Sequence, residues 1–266
     1  MMELTLSVQN AAGEVLASAA GEGECWLVYE PEYAPGDCLS VSCGQAGQFL
    51  MVCLDDALAS ALVYCKGTRF SYPIPFGEAR SVFSPRAFSG ERHYLHVRLA
   101  APCEIAARRN LSLNPWATHA LGGPYPYASA NVETRGEMVF AAKNAIDGLK
   151  ANTFHGEWPY TSWGINRDPR AAWTLEFGRV VEVDEAVFYL RADFPHDAWW
   201  EKATLSFSDG SRLTVPLEKT SAGQRFPFTP KKVEWVRLDG LEKADDPSPF
   251  PALTQLELWG HELCQE

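Results

Sequence analysis

The sequence predicts an all-β protein built as two antiparallel β-sandwiches, and three observations carry that expectation. Short apolar or alternating runs recur along nearly the whole chain, each ended by Gly, Pro, Asp or Asn after roughly 8–12 residues. Helical periodicity is weak, and the best window, FAAKNAIDG, is long enough for only a turn or two. At 266 residues the chain is about twice the commonest domain size. A Pro- and Gly-rich stretch without a period, LSLNPWATHALGGPYPYAS, divides it near residue 115, so the expected units are residues 1–112 and 120–266.

In the first unit the expected strands are LTLSVQ, EVLASA, CWLVYE, CLSVSC, QFLMVCL, ALVYCKG, HYLHVRLA and CEIAARR, with turns at Pro35–Asp37 and Phe76–Glu78. The aromatics of FSYPIPFGE, with Tyr29 and Tyr33, are expected in the core or against the second unit, the lining of a groove being the alternative. In the second unit the strands are AAWTLEFG, EVDEAVFYLRA, ATLSFSDG, SRLTVPLE, RFPFTP, VEWVRLDGL and ALTQLELWG. Trp173, Leu175 and Phe177 fall on one face of WTLEFG, with Thr174 and Glu176 on the other, as in a half-buried antiparallel strand. VEWVRLDGL repeats this with Val233, Trp235 or its neighbours, and Leu238, and the tryptophans of both strands are expected in the core.

Composition removes several classes of function. A net charge of −11 opposes nucleic acid and anionic lipid, because a phosphate-binding surface needs an excess of Lys and Arg. Neutral partners such as sugars remain open. No stretch reaches the roughly 20 apolar residues of a membrane-spanning helix. The start, MMELTLSVQN, alternates like a strand and lacks the basic and apolar regions of a signal peptide. The expected location is therefore cytoplasmic, removal of an export segment being the alternative. Six of the seven cysteines lie in the first 105 residues, without CxxC or zinc spacing, and read as small buried hydrophobes. His93 and His96 lie on opposite faces of one strand and do not make a metal pair.

The segment from Ala128 to Leu190 then presents an ordered set of words. Ala128 and Ser129 open a strand, Asn144 to Gly148 spell NAIDG, Thr153 follows, a Trp-rich loop comes next, and Trp173 begins a strand ending at Gly178. This order resembles the discoidin family, also called coagulation factor 5/8 type C, and the closing ALTQLELWG resembles its terminal strand. The resemblance covers about residues 125–260. It implies a galactose-binding-like jelly roll for the second unit. The whole chain is similar to bacterial two-domain carbohydrate-binding proteins. Fold carries across such a likeness and ligand does not.

The resemblance also implies a structural calcium at the NAIDG loop, held by carbonyl oxygens, Asp147 and Thr153, with Gln255 where the family supplies Glu from the last strand. Calcium takes six to eight hard oxygens, and a neutral amide weakens such a site. The competing reading is that Asp147 caps its own turn.

Two further segments combine aromatics, carboxylates, imidazole and guanidinium with little apolar periodicity. HGEWPYTSWGINRDPR contributes His155, Glu157, Trp158, Trp163 and Arg167; RADFPHDAWWEK contributes Arg191, Asp193, His196, Asp197, Trp199 and Trp200. Flat aromatic faces with planar polar groups are what a sugar ring requires, and loops on a rigid sandwich are where such residues sit. The expected function is non-catalytic binding of a neutral sugar in one pocket formed by both segments. The first alternative is a structural protein whose Trp-rich loops make subunit contacts, giving a homo-oligomer. The second is a glycoside-processing enzyme using carboxylates among Glu157, Asp168, Asp193, Asp197 and Glu201. No nucleophile elbow, P-loop, dinucleotide fingerprint or HExxH supports catalysis.

Overall fold

Alternating apolar residues build strands that bury one face, and in the computed structural model, which describes residues 2–120, 122–194 and 196–263, they form three antiparallel sheets. The first half contains β1 (Glu3–Gln9), β2 (Val15–Glu22), β3 (Glu24–Tyr29), β4 (Cys38–Cys43), β5 (Gln48–Cys53), β6 (Ala61–Cys65), β7 (Arg69–Pro73) and β8 (His93–Leu99). β2-β1-β4-β7 form one four-stranded sheet and β3-β8-β5-β6 the other. Their facing side chains, among them Leu4, Leu6, Leu39, Val41, Leu50, Val52 and Leu95, share one core. CEIAARR, expected as a strand, instead gives a short helix α1 (Pro102–Ala106), with Pro at its first turn and Glu104 bonded back to the Ala101 amide.

The second half contains β9 (Arg109–Asn110), β10 (Tyr127–Ala130), β11 (Trp163–Gly164), β12 (Trp173–Leu190), β13 (Trp200–Phe207), β14 (Arg212–Pro216), β15 (Gln224–Lys243) and β16 (Ala252–Glu262). They make one sheet in the order β11-β16-β12-β15-β13-β14, with β10 on β12 and β9 on β16. Pairs of strands expected from separate words are continuous: β12 joins AAWTLEFG to EVDEAVFYLRA, and β15 joins RFPFTP to VEWVRLDGL. β12 changes partner midway, from β10 over residues 173–176 to β16 over residues 181–190. Gly178 lies at that change with φ of 73°, and a Cβ there would stand 2.6 Å from the Tyr125 ring. One core then gathers side chains from both halves of β12, including Trp173, Phe177, Val183 and Phe188.

The same irregularity corrects one expectation. β12 and β15 shift register between Glu176 and Val181, so Trp235 pairs with Glu176 on the outer face and Val236 takes the inward position. Trp235 is consequently 37% exposed. A one-residue slip reverses every side chain beyond it.

The Pro-rich stretch is built into both cores rather than hanging between them. Arg109 and Asn110 pair with β16, Leu111 joins the second core, and Trp116 is fully buried in the first. The Trp116 indole donates to the Val52 carbonyl at 3.0 Å. Asn114 donates to the carbonyls of Pro124 and Pro126 and accepts the Trp116 amide. Tyr64 and Tyr125 exchange backbone hydrogen bonds across the junction. His93 is buried against Tyr33, with ring centroids 4.0 Å apart, while His96 faces outward and bonds Glu24. Among the described residues no helix is long and apolar enough to cross a membrane.

Replacing Trp116 by Ala is expected to cost about 3–5 kcal/mol, the range for removing a buried aromatic. Denaturant unfolding measures it; a loss under about 1 kcal/mol would mean that the connector does not hold the first core.

Candidate functional site

The turn after β12 brings the second polar segment back on itself. The Asp193 carbonyl accepts the amides of His196 and Asp197, and this places the Asp197 carboxylate on the Arg191 guanidinium. Asn152 fixes the facing loop by donating to the carbonyls of Leu190 and Ser221, while its own backbone carbonyl accepts the Ala192 amide. His155, three residues on, reaches the Asp193 carboxylate through Nδ1. The two segments thus meet at the end of the sandwich. Their polar groups border a cavity of about 240 Å³ lined by His155, Arg167, Arg191, His196, Asp197, Phe140 and Phe250.

The charges there are internally paired. Arg191, 5% exposed, donates from Nη2 to Asp197 and to the Phe250 carbonyl at 2.9 Å. Burial pushes the Asp197 carboxyl above its ordinary range, and the Arg191 charge opposes that shift. Asp197 Oδ2 and Arg191 Nε are buried without a hydrogen-bond partner among the described residues. Ligand atoms of His155, Asp193 and Asp197 lie within 4.8 Å of one another. Asn166 and Arg167 both have positive φ, 47° and 63°, held in part by the Asn166 amide donating to Thr134 Oγ1. That turn carries the Arg167 guanidinium 4.4 Å from the Phe250 ring centroid. Phe154 is 58% exposed and stacks on His155 with centroids 5.4 Å apart.

The remaining sequence candidates are scattered. Trp163 and Trp200, expected at the ligand, are instead 0% and 1% exposed, their rings 6.4 Å apart in the second core. Trp199 is half-buried beneath Lys219, outside the cavity. Glu157 points to solvent, and Trp158 turns to the first sandwich, its amide donating to the Ser81 carbonyl. Of the five carboxylates named for catalysis, Asp193 and Asp197 alone join the cluster around this cavity. Sequence reading missed Phe154, Phe140 and Phe250. Phe250 had a signal, an aromatic between prolines just before the last strand.

The NAIDG loop is a 3₁₀ turn over Ala142–Ile146 that leads into Asp147, and Gln255 completes it. The Gln255 amide nitrogen donates to the Asn144 carbonyl and to Asp147 Oδ1, both at 2.6 Å, while its oxygen accepts the Gly148 amide. The Leu149 amide donates to Asp147 Oδ1 and the Thr161 hydroxyl to Oδ2. Thr153, the expected ligand, is exposed and Thr161 takes the place beside Asp147. Two oxygens that a calcium ion would need face an N–H₂ donor, and the buried Lys143 ammonium adds positive charge nearby. These residues do not fit a calcium ion.

Burial pushes the Asp147 carboxyl up to about 7 and the Lys143 ammonium down to about 8. A carboxyl raised above its unfolded value makes the native state bind more protons, so its contribution to stability falls as pH rises from about 4 to about 7. Asp147→Asn is expected to remove that fall, a tenfold change in proton affinity being worth about 1.4 kcal/mol. Urea unfolding of both proteins between pH 4 and 7 tests this; identical pH slopes would show that the Asp147 carboxyl titrates in its ordinary range. Calcium added after chelation is expected to leave the melting temperature unchanged, and a clear rise would show that Gln255 yields to the ion.

No family model matches the chain, and no curated protein matches it. Solved structures do. One is chitosan-binding module 1 of a chitosanase/glucanase from Paenibacillus sp. IK-5, with TM-score 0.40 and 20% identity over 57% of this chain and 99% of that one. The family 32 carbohydrate-binding module of C. perfringens NanJ, in complex with galactose, gives TM-score 0.38 and 18% identity over 50% and 91%. The lectin domain of lectinolysin, complexed with Lewis B antigen, gives TM-score 0.42 and 17% identity over 56% and 95%.

Proposed function

We propose that the protein binds a neutral sugar, as a single residue or a chain end, in the cavity between the His155 and Arg191 loops. The observation that carries this reading is the meeting of His155 and Arg167 with Arg191 and Asp197, from separate loops, around one cavity of about 240 Å³. Arg191 and Asp197 neutralise each other, as do His155 and Asp193 when the imidazole is protonated, so the cluster offers hydrogen bonds with little net charge. A hydroxyl, which both donates and accepts, suits the unpartnered Asp197 Oδ2 and Arg191 Nε. Phe250 in the cavity wall supplies an apolar face for a pyranose ring, and the exposed Phe154, stacked on His155, offers another beside it. Of the tryptophans that would anchor an assembly instead, Trp200 is used inside this chain's own core, while Trp158 is exposed and Trp199 half-buried.

His155→Ala and Phe250→Ala are each expected to weaken glycan binding by about tenfold, or about 1.4 kcal/mol, with little change in melting temperature. Trp200→Ala should do the reverse and chiefly destabilise the fold. A neutral-glycan array followed by titration calorimetry tests this. No binding anywhere on the array, or binding untouched by the His155 and Phe250 changes, would overturn the assignment.

A further inference from the structure

A second cavity, of about 390 Å³, lies where the two cores meet. Its walls are mostly apolar: Tyr72, Ile74 and Phe76 from the segment at the end of β7, Phe83 beyond it, and Met138 from the second half. Thr118 and His119 of the connector border it. Its volume falls in the range of small-ligand pockets, about 300–1,000 Å³.

Among the described residues, the one Lys or Arg in its lining is Lys143. The residue is 7% exposed, and its ammonium lies 4.8 Å from the Phe83 ring centroid. Among the described residues it has no hydrogen-bond acceptor and no carboxylate within ion-pair distance. The two nearby acids are engaged elsewhere. Asp147 is held by Gln255, Leu149 and Thr161, and Glu133 by the Ala142 amide and His119. A buried ammonium without acceptors is costly, and burial accordingly lowers its proton affinity. An apolar pocket with one buried, unpartnered cation is complementary to a molecule with an apolar body and one anionic oxygen-bearing head.

We propose that this junction cavity binds a small amphipathic carboxylate, its apolar body against Tyr72, Phe76 and Phe83 and its carboxylate on the Lys143 ammonium. The site is separate from the sugar cavity and stands or falls independently of it. A bound carboxylate stabilises the charged form of Lys143, so binding near its titration range draws a proton from solution.

The test is titration calorimetry of the full chain with octanoate at pH 8.5, in two buffers of different ionisation enthalpy, with 1-octanol as the neutral control. The expected result is octanoate binding with proton uptake, octanol at least tenfold weaker, and a tenfold or greater loss for octanoate in Lys143→Met. His155→Ala should bind octanoate like the unmodified protein. The proposal is overturned if octanoate does not bind, if octanol binds equally well, if no proton is taken up, or if Lys143→Met retains full affinity. Should Lys143→Met not fold, the proton uptake and the octanol comparison decide the matter on the unmodified chain.

Discussion

The burial of Trp116 in the first core, on a segment whose neighbours pair with the second sheet, is the constraint on which the arrangement depends. Asn110 pairs with β16, and only six positions later comes the indole that donates to Val52. A chain of that length leaves little freedom between its anchors. Asn114 removes most of what remains by bonding two proline carbonyls and the Trp116 amide at once. The Tyr64–Tyr125 bridge and the packing of Arg179 against Phe49 and Tyr64 extend the junction along the edge of the first sandwich. The apolar cavity lined by Lys143 and by residues of both halves lies at this junction.

A rigid frame also explains how charged side chains come to stand at the end of the second sandwich. Arg191 and Asp197 sit at the exit of β12 and are nearly buried. Breaking such a pair by removing one partner costs far more than an exposed ion pair is worth, since the other charge stays uncompensated. Asn152 anchors the opposing loop to the same strand end. The cavity walls are therefore tied to β12 and β16 rather than to one another alone. This is the condition for polar groups to recognise a ligand without large reordering costs.

The NAIDG loop settles its charges by another route. An amide donor from β16 bonds both the Asn144 carbonyl and the Asp147 carboxylate and so ties the turn to the last strand. Asp147 and Lys143, opposite in sign and both buried, titrate closer to neutrality than exposed groups of their kind.

Local pattern was enough for the all-β class, most strand positions and the segments in which polar and aromatic residues cluster. Alternation such as that of Trp173, Leu175 and Phe177 selects a buried face whatever the strand pairs with. Pattern also put His155, Arg167, Arg191 and Asp197 in two loops, because loops tolerate such mixtures. Which tryptophans are core was a matter of long-range pairing instead. Trp163 and Trp200 resemble Trp158 in sequence context, yet strand pairing carries them inward while Trp158 turns to the first sandwich. The register shift that exposes Trp235, the role of Phe250 and the Gln255 closure of the NAIDG loop likewise depend on partners far away along the chain. No window of sequence contains those partners, so only the meeting of distant strands in the folded protein could settle them.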